Sequence, residues 1–188
     1  MQNKKELRRM MLSSRRSLSS NERNIYSQSI TANLINSNIY KEAAHIMAYA
    51  AMPDEVQTNM LLEKILADGK TLCIPYITDL KQGLMQAAII KNINDLVIGT
   101  SNILTVSDNN KHYLAPEKLD LIIVPGVAFT PDKYRLGMGG GFYDRFLPQA
   151  FNAVYAGIFF SLQQVKTLPL DATDVPLDII FTENHIWE

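Results

Sequence analysis

The sequence predicts an α/β fold: a single domain over residues 1–188, with a mostly parallel sheet flanked by helices in a Rossmann-like three-layer arrangement. Three observations lead there. Short runs of consecutive apolar residues, such as Leu121-Ile122-Ile123-Val124, lack polar alternation, as strands covered on both faces do. Stretches with helical spacing separate these runs. No internal repeat or low-complexity linker divides the chain, and 188 residues with 47% hydrophobic content suffice for one core.

Residues 4–17 read as a first helix, with Leu7, Met11 and Leu18 on one stripe. A second helix runs from about Ser20 to Asn36, with Ser20-Asn21-Glu22-Arg23 as its capping region. His45 to Ala50 is a buried strand. Thr58 to Ala67 is a helix whose apolar face comprises Met60, Leu61, Leu62, Ile65 and Leu66, stopped by Asp68-Gly69. Thr71 to Ile74 is a strand ended by Pro75, and Met85 to Ile90 is another. Residues 91–118, polar and irregular, read as a surface excursion. Leu121 to Val124 is a strand broken by Pro125-Gly126. A glycine-rich loop and a short helix from Phe142 to Leu147 follow, and strands at Val154 to Phe160 and Ile179 to Thr182 complete the pattern. Ligands of such sheets bind at the carboxyl ends of the strands, which directs attention to residues 49–55, 75–76, 125–144 and 160–164.

Eighteen Lys and Arg against nineteen Asp and Glu give a net charge of -1. No charge excess points to nucleic acid or a membrane surface, and no apolar stretch is long enough to cross a bilayer. The lone Cys73 makes neither an internal disulfide nor a cysteine-based zinc site; it reads as a packing residue in a reducing, cytoplasmic setting. His45, His112 and His185 are too scattered for a metal site or a Ser-His-Asp triad.

The segment from Pro125 to Leu147 is the richest in chemistry. It holds five of the nine glycines, and Arg135 precedes four of them: Gly137, Gly139, Gly140 and Gly141. Glycine lets consecutive N–H groups turn inward around an anion; a following helix adds its positive end, and a guanidinium adds a bidentate cation. The arrangement predicts a phosphate cradle, although neither a Walker A loop nor a dinucleotide fingerprint is present. Asp144 closes the loop, either as a Mg²⁺ ligand beside a phosphate or as an acid in the first turn of a helix.

At about 100° per residue, Lys4, Arg8 and Arg15 share one narrow face beside the Leu7/Met11 stripe, while Lys5, Arg9 and Arg16 lie further round. If the stripe docks on the sheet, Lys4 and Arg8 reach a nucleotide phosphate; otherwise this is a solvated basic face. Residues 1–20, rich in Arg and Ser with Glu6 as the only acid, also have transit-peptide composition; a helix of the mature protein is the alternative, favoured by the row beside the stripe. Glu55 follows the first strand and either binds ring N–H groups of a ligand or caps the helix at Thr58. Tyr49 and Met52 line an apolar pocket or belong to the core.

The string Pro125-Gly126…Phe129…Arg135-Leu136-Gly137-Met138-Gly139-Gly140-Gly141-Phe142-Tyr143-Asp144-Arg145 resembles the signature of the 5-formyltetrahydrofolate cyclo-ligase family. Lys4-Lys5-Glu6-Leu7-Arg8 with Arg15 and Arg16 is similar to its N-terminal element. Met52…Glu55-Val56-Gln57-Thr58 with Gly69-Lys70 and Pro75 is similar to its second block, and Gln163, Pro169, Asp174 and Asp178 to its last. The resemblance implies an ATP- and Mg²⁺-dependent enzyme that closes 5-formyltetrahydrofolate, with or without a polyglutamate tail, to 5,10-methenyltetrahydrofolate, releasing ADP and phosphate. It implies ATP binding by Lys4, Lys5, Arg8, Arg135, Leu136, Gly137, Met138, Gly139, Gly140, Gly141, Phe142 and Tyr143, with Arg135 and Tyr143 serving catalysis. The folate falls to Ala50, Met52, Glu55 and residues 138–142, and Mg²⁺ to Asp144 and Asp174. It favours the mature-helix reading of the N-terminus and a monomer or weak dimer. Thr105-Val106, Thr173, Met138 and Gly140 depart from residues common in the family. A sugar-phosphate isomerase or acyl-CoA transferase on a similar sheet, and a non-catalytic nucleotide or folate binder, are the competing readings.

Overall fold

The apolar runs become neighbours in one sheet. The computed structural model describes residues 3–99, 103–107 and 111–188. Its helices are α1 (Lys4–Arg16), α2 (Ser20–Asn36), α3 (Asn38–Glu42), α4 (Asn59–Ala67) and α5 (Phe142–Phe146). Its strands are β1 (His45–Met47), β2 (Thr71–Asp79), β3 (Leu84–Ile90), β4 (Val97–Ile98), β5 (Leu104–Thr105), β6 (Tyr113–Leu114), β7 (Leu121–Val124), β8 (Ala128–Phe129), β9 (Arg135–Leu136), β10 (Val154–Ile158), β11 (Ile179–Phe181) and β12 (Ile186–Trp187).

Among the described residues, the main sheet has eight strands in the order β12-β11-β10-β7-β1-β2-β3-β6. Its five inner strands, β11 to β2, are parallel, as expected; β3, β6 and β12 add antiparallel flanks. Period-two alternation splits each inner strand between two cores. Ile46, Leu72, Ile74, Leu121 and Ile123 face the layer of α2, α3 and α4, whose Ile30, Leu34, Tyr40, Leu61 and Leu62 cover them. Met47, Cys73, Ile122 and Val124 face the opposite layer, with Phe146, Leu147 and Phe159. Burial on both sides explains why these strands carry no polar alternation.

Several boundaries differ from the sequence reading. β2 does not stop at Pro75 but continues to Asp79. The odd-numbered residues of β2 bond toward β1: Thr71 N–H donates to Ala44 O and Cys73 O accepts from Ala48 N–H. The missing N–H of Pro75 therefore faces the side on which β1 has already ended, so it interrupts no ladder. β1 itself is only three residues long, although Ala48, Tyr49 and Ala50 stay buried beyond it. The cap of α2 is Ser19, one residue earlier than read, in a capping box with Glu22. Of the excursion at 91–118, residues 100–102 and 108–110 lie outside the described residues; the rest contains the β4–β5 hairpin and β6.

The stripe of α1 docks, but not on the main sheet. Leu7 and Met11 pack on Val127, Ala128 and Leu136 of the β8–β9 hairpin, whereas Leu18 joins the core beneath α2. No helix of the described residues is long and apolar enough to cross a membrane.

Candidate active site

From β1 the chain steps to β2 on one side, and β7 and β10 then build out on the other. Such a reversal parts the loops leaving adjacent strands and opens a crevice at their carboxyl ends. Here the parting is between β1 and β7, and a cleft of about 720 Å³ lies there, lined by Tyr49, Ala50, Met52 and Glu55 after β1 and by Pro125 and Gly126 after β7. The β2–β3 tip, the loop from Leu136 to Arg145, α1 through Lys4 and Arg8, and the segment holding Asp171, Thr173 and Asp174 close its walls.

One side of the cleft is made of bare backbone and cations. Arg135 sits on the two-residue strand β9, paired with Phe129 across a turn closed by Thr130 and Tyr134. Its buried guanidinium donates to Val175 O at 2.9 Å and to Asp144 Oδ1 at 2.9 Å, and its Cζ lies 5.8 Å from the Tyr143 ring centroid. Gly139 (φ 106°) and Gly141 (φ 66°) take left-handed backbone that a side chain would strain. Among the described residues, no N–H from Gly137 to Tyr143 donates to a protein acceptor. Gly137 O instead accepts from Arg8 Nε at 2.8 Å, which ties α1 to the loop. The following helix, α5, is five residues long, so the anion-attracting elements are the loop amides and the cations rather than a helix dipole.

The carboxylates on this side are paired. Lys4 Nζ donates to Asp174 Oδ2 at 2.6 Å and to Asp171 Oδ2 at 2.7 Å. Burial works against the charged ammonium, but these two carboxylates outweigh it and raise the Lys4 pKa above its ordinary value. Asp144 Oδ1 is held by Arg135, and Asp174 Oδ2 also accepts the Asp171 N–H. Asp144 Oδ2 and Asp174 Oδ1 keep free acceptor capacity among the described residues. Two carboxylate oxygens on one cleft wall match a cation that takes one or two protein carboxylates and completes its shell with phosphate oxygens and water, as Mg²⁺ does. No cluster of three or more metal-ligating side chains exists among the described residues, so an all-protein cage is not on offer.

The other side is enclosed. Glu55 is buried; its Oε2 accepts the Met52 N–H at 3.0 Å, and its Oε1 lies 3.8 Å from Arg15 Nη1. Burial raises the Glu55 pKa, with the Met52 N–H and Arg15 opposing. Glu55 does not cap α4: Thr58 is the cap residue, and its hydroxyl is spent on Tyr49 O and Ala51 N–H. The buried Tyr143 hydroxyl has no hydrogen-bond partner, and burial followed by the Glu55 charge pushes its pKa well above the phenol range.

The structure therefore brings together Lys4, Arg8, Ala50, Met52, Glu55, Arg135, residues 136–143, Asp144 and Asp174. Lys5 is not among them; it is exposed, one helical step from Lys4, on the far side of α1. Sequence reasoning missed Asp171, whose only sign is its spacing of three from Asp174, and the aliphatic Ile77, Leu80 and Ile103 at the cleft rim. It noted Arg15 only in a basic row and in the N-terminal element, without a role. In the structure that side chain is among the most buried in the molecule.

A switch-point cleft with a glycine loop and cations on one side and a buried carboxylate on the other is where an α/β enzyme holds its substrates, and the comparisons with known proteins give the class as ligase. Residues 1–183 match the 5-formyltetrahydrofolate cyclo-ligase family, and the chain belongs to that family. It is 31% identical to the Escherichia coli K12 5-formyltetrahydrofolate cyclo-ligase over 77% of this chain and 81% of that one. It is 27% identical to the Haemophilus influenzae 5-formyltetrahydrofolate cyclo-ligase over 94% and 95% of the two chains. An NMR structure of Aquifex aeolicus 5,10-methenyltetrahydrofolate synthetase superposes with a TM-score of 0.86 at 31% identity, covering 97% of this chain and 91% of that one. The protein is an ATP-dependent ligase that converts 5-formyltetrahydrofolate to 5,10-methenyltetrahydrofolate. The isomerase, transferase and non-catalytic readings find no support.

Proposed function

We propose that the two sides of the cleft divide the two substrates, ATP phosphates on the glycine-loop side and the pterin on the Glu55 side. The observation that carries this division is the row of loop N–H groups from Gly137 to Tyr143 without protein acceptors, facing the same cleft as the buried Glu55 carboxylate. Arg135, Arg8, Lys4 and the loop hold the triphosphate. Lys4 reaches it by exchanging the Asp171 and Asp174 oxygens for phosphate oxygens. Glu55 Oε1 accepts from ring N–H groups of the pterin, and Ala50, Met52 and residues 138–142 line the same pocket.

The formyl oxygen of an N-formyl amide is a poor leaving group. It attacks the γ-phosphorus, an oxygen–phosphorus bond forms, and ADP departs. The N10 amine then attacks the activated formyl carbon, and the carbon–oxygen bond breaks with release of phosphate, which carries away the N10 proton. No protein nucleophile is needed: the side chains position the reactants and neutralise charge on the transferring group. Tyr143 sets the Arg135 guanidinium with its ring. Asp144 and Asp174 would hold Mg²⁺, which neutralises phosphate charge when bound. The enzyme acts in the cytoplasm, a setting that the sparing use of cysteine, one in the chain, suits. It works as a monomer or weak dimer on folates with or without a polyglutamate tail, and uses neither nucleic acid nor membrane.

Absorbance of the methenyl product, followed with ATP present and absent, tests the reaction. Asp144→Asn tests the site: the Mg²⁺ concentration for half-maximal rate should rise by about tenfold or more. An unchanged Mg²⁺ requirement removes Asp144 from the metal's shell.

A further inference from the structure

Arg15 is buried behind the Glu55 wall of the cleft, and the proposed reaction does not yet use it. It lies in the last turn of α1, the 13-residue helix whose first turns supply Lys4 and Arg8 to the glycine-loop side. The three residues share one helix face, but Arg15 lies about 10 Å further along α1 than Arg8 and is buried against Asp54, Glu55 and Gly126 rather than lining the cleft. Its Nη2 donates to Asp54 Oδ2 at 3.0 Å and its Nη1 to Gly126 O at 3.3 Å, just after β7. Its Nε is buried without a partner. A donor left unpaired in a dry site is destabilising, so an arginine kept only for packing would be poorly placed here.

The distance to Glu55 is informative. At 3.8 Å, Arg15 Nη1 is within ion-pair range of Glu55 Oε1 but too far to take its lone pairs as a hydrogen-bond donor. Glu55 Oε2 is already held by the Met52 N–H. Oε1 thus has a countercharge at its back while its acceptor capacity stays open to the cleft. The other charged or titratable groups facing Glu55 are Asp54 beside it, Tyr49 after β1 and Tyr143 on α5. None of these is a cation, so among them Arg15 is the one charge that joins the Met52 N–H in opposing the carboxylate's desolvation.

We propose that Arg15 is a positioning residue for folate: its guanidinium stands behind Glu55 as a countercharge, aims that carboxylate, and ties it to the same helix that carries the nucleotide's cations. This rests on Glu55 receiving the pterin. The test is a double-mutant cycle on the full-length enzyme with Arg15→Met and Glu55→Gln. Arg15→Met should raise the KM for 5-formyltetrahydrofolate by about tenfold, with kcat and the KM for ATP within about twofold. The acid limb of kcat/KM for folate should move to higher pH, because losing the cation makes Glu55 harder to ionise. In the Glu55→Gln background the same substitution should change the folate KM by less than about twofold. Arg15→Lys should return the acid limb toward its original position.

An equal penalty in both backgrounds, or a parallel loss in kcat and both KM values, overturns the inference. If Glu55→Gln alone leaves the folate KM unchanged, the pterin reading of Glu55 fails and takes the inference with it. If Glu55→Gln weakens folate binding but the two effects add, only the role of Arg15 falls. Should Arg15→Met not fold, the uncharged but polar Arg15→Gln runs the same cycle, and the same outcomes support or overturn the role.

Discussion

On the glycine-loop side of the cleft, the cations already hold anions: Lys4 bridges Asp171 and Asp174, and Arg135 holds Asp144. Around them runs backbone whose N–H groups have no protein acceptor. On the Glu55 side almost nothing is open. Glu55 Oε2, the Thr58 hydroxyl and the Tyr49 hydroxyl are all assigned, which leaves Glu55 Oε1 and the Tyr143 hydroxyl as the polar atoms kept available. The contrast separates two ways of binding. Under the proposed division, the phosphate side would work by exchange, protein carboxylates giving way to phosphate oxygens. The pterin side would be a slot built in advance, in which ordering costs are met during folding. A highly charged, hydrated ligand suits the first because each ion leaves one partner only for another. A flat ring with fixed N–H positions suits the second.

The largest test of that contrast is Arg135→Ala. It should lower kcat/KM for ATP by about 10²-fold or more, measured by methenyl-product absorbance, because the guanidinium meets charge that grows on the transferring phosphoryl group. Unchanged kinetics would break the assignment of the loop to the nucleotide. A middle-sized effect is expected at Gly141, whose φ of 66° and whose added Cβ would meet Arg145 Nη1 at 2.4 Å. Gly141→Ala should lower unfolding free energy by about 1–2 kcal/mol in urea titrations and weaken ATP more than folate. Because residues 138–142 also border the pterin pocket, folate should weaken too, but less; equal weakening of both ligands would mean the two sides are one rigid unit. The smallest effect belongs to Lys5→Ala, since that side chain is exposed and lies outside the cleft. Its KM for ATP should stay within about twofold, as for ordinary surface substitutions.

How far the sequence foretells this molecule depends on the range of the interaction that decides each feature. The inner strands were legible because burial on both faces writes itself into consecutive residues, as in Leu121–Val124. The glycine loop was legible because left-handed backbone demands glycine in place. Asp144 and Glu55 could be picked out, but not their partners. Arg15 meets Asp54 and Glu55 some 39 and 40 residues away, and nothing local announces it. The β8–β9 hairpin, which delivers Arg135, consists of two-residue strands too short for any periodicity. Pro75 misled because whether a missing N–H matters depends on where the neighbouring strand stops.

The ion pair between Lys4 and Asp174 joins positions 170 apart in the chain. Translation delivers Lys4 and Arg8 early, yet the two carboxylates that pair with Lys4 follow far later in the chain. A nascent polypeptide halted near residue 165 would already own β1, β2, β7 and β10 while the Lys4 ammonium still waited for both of its partners.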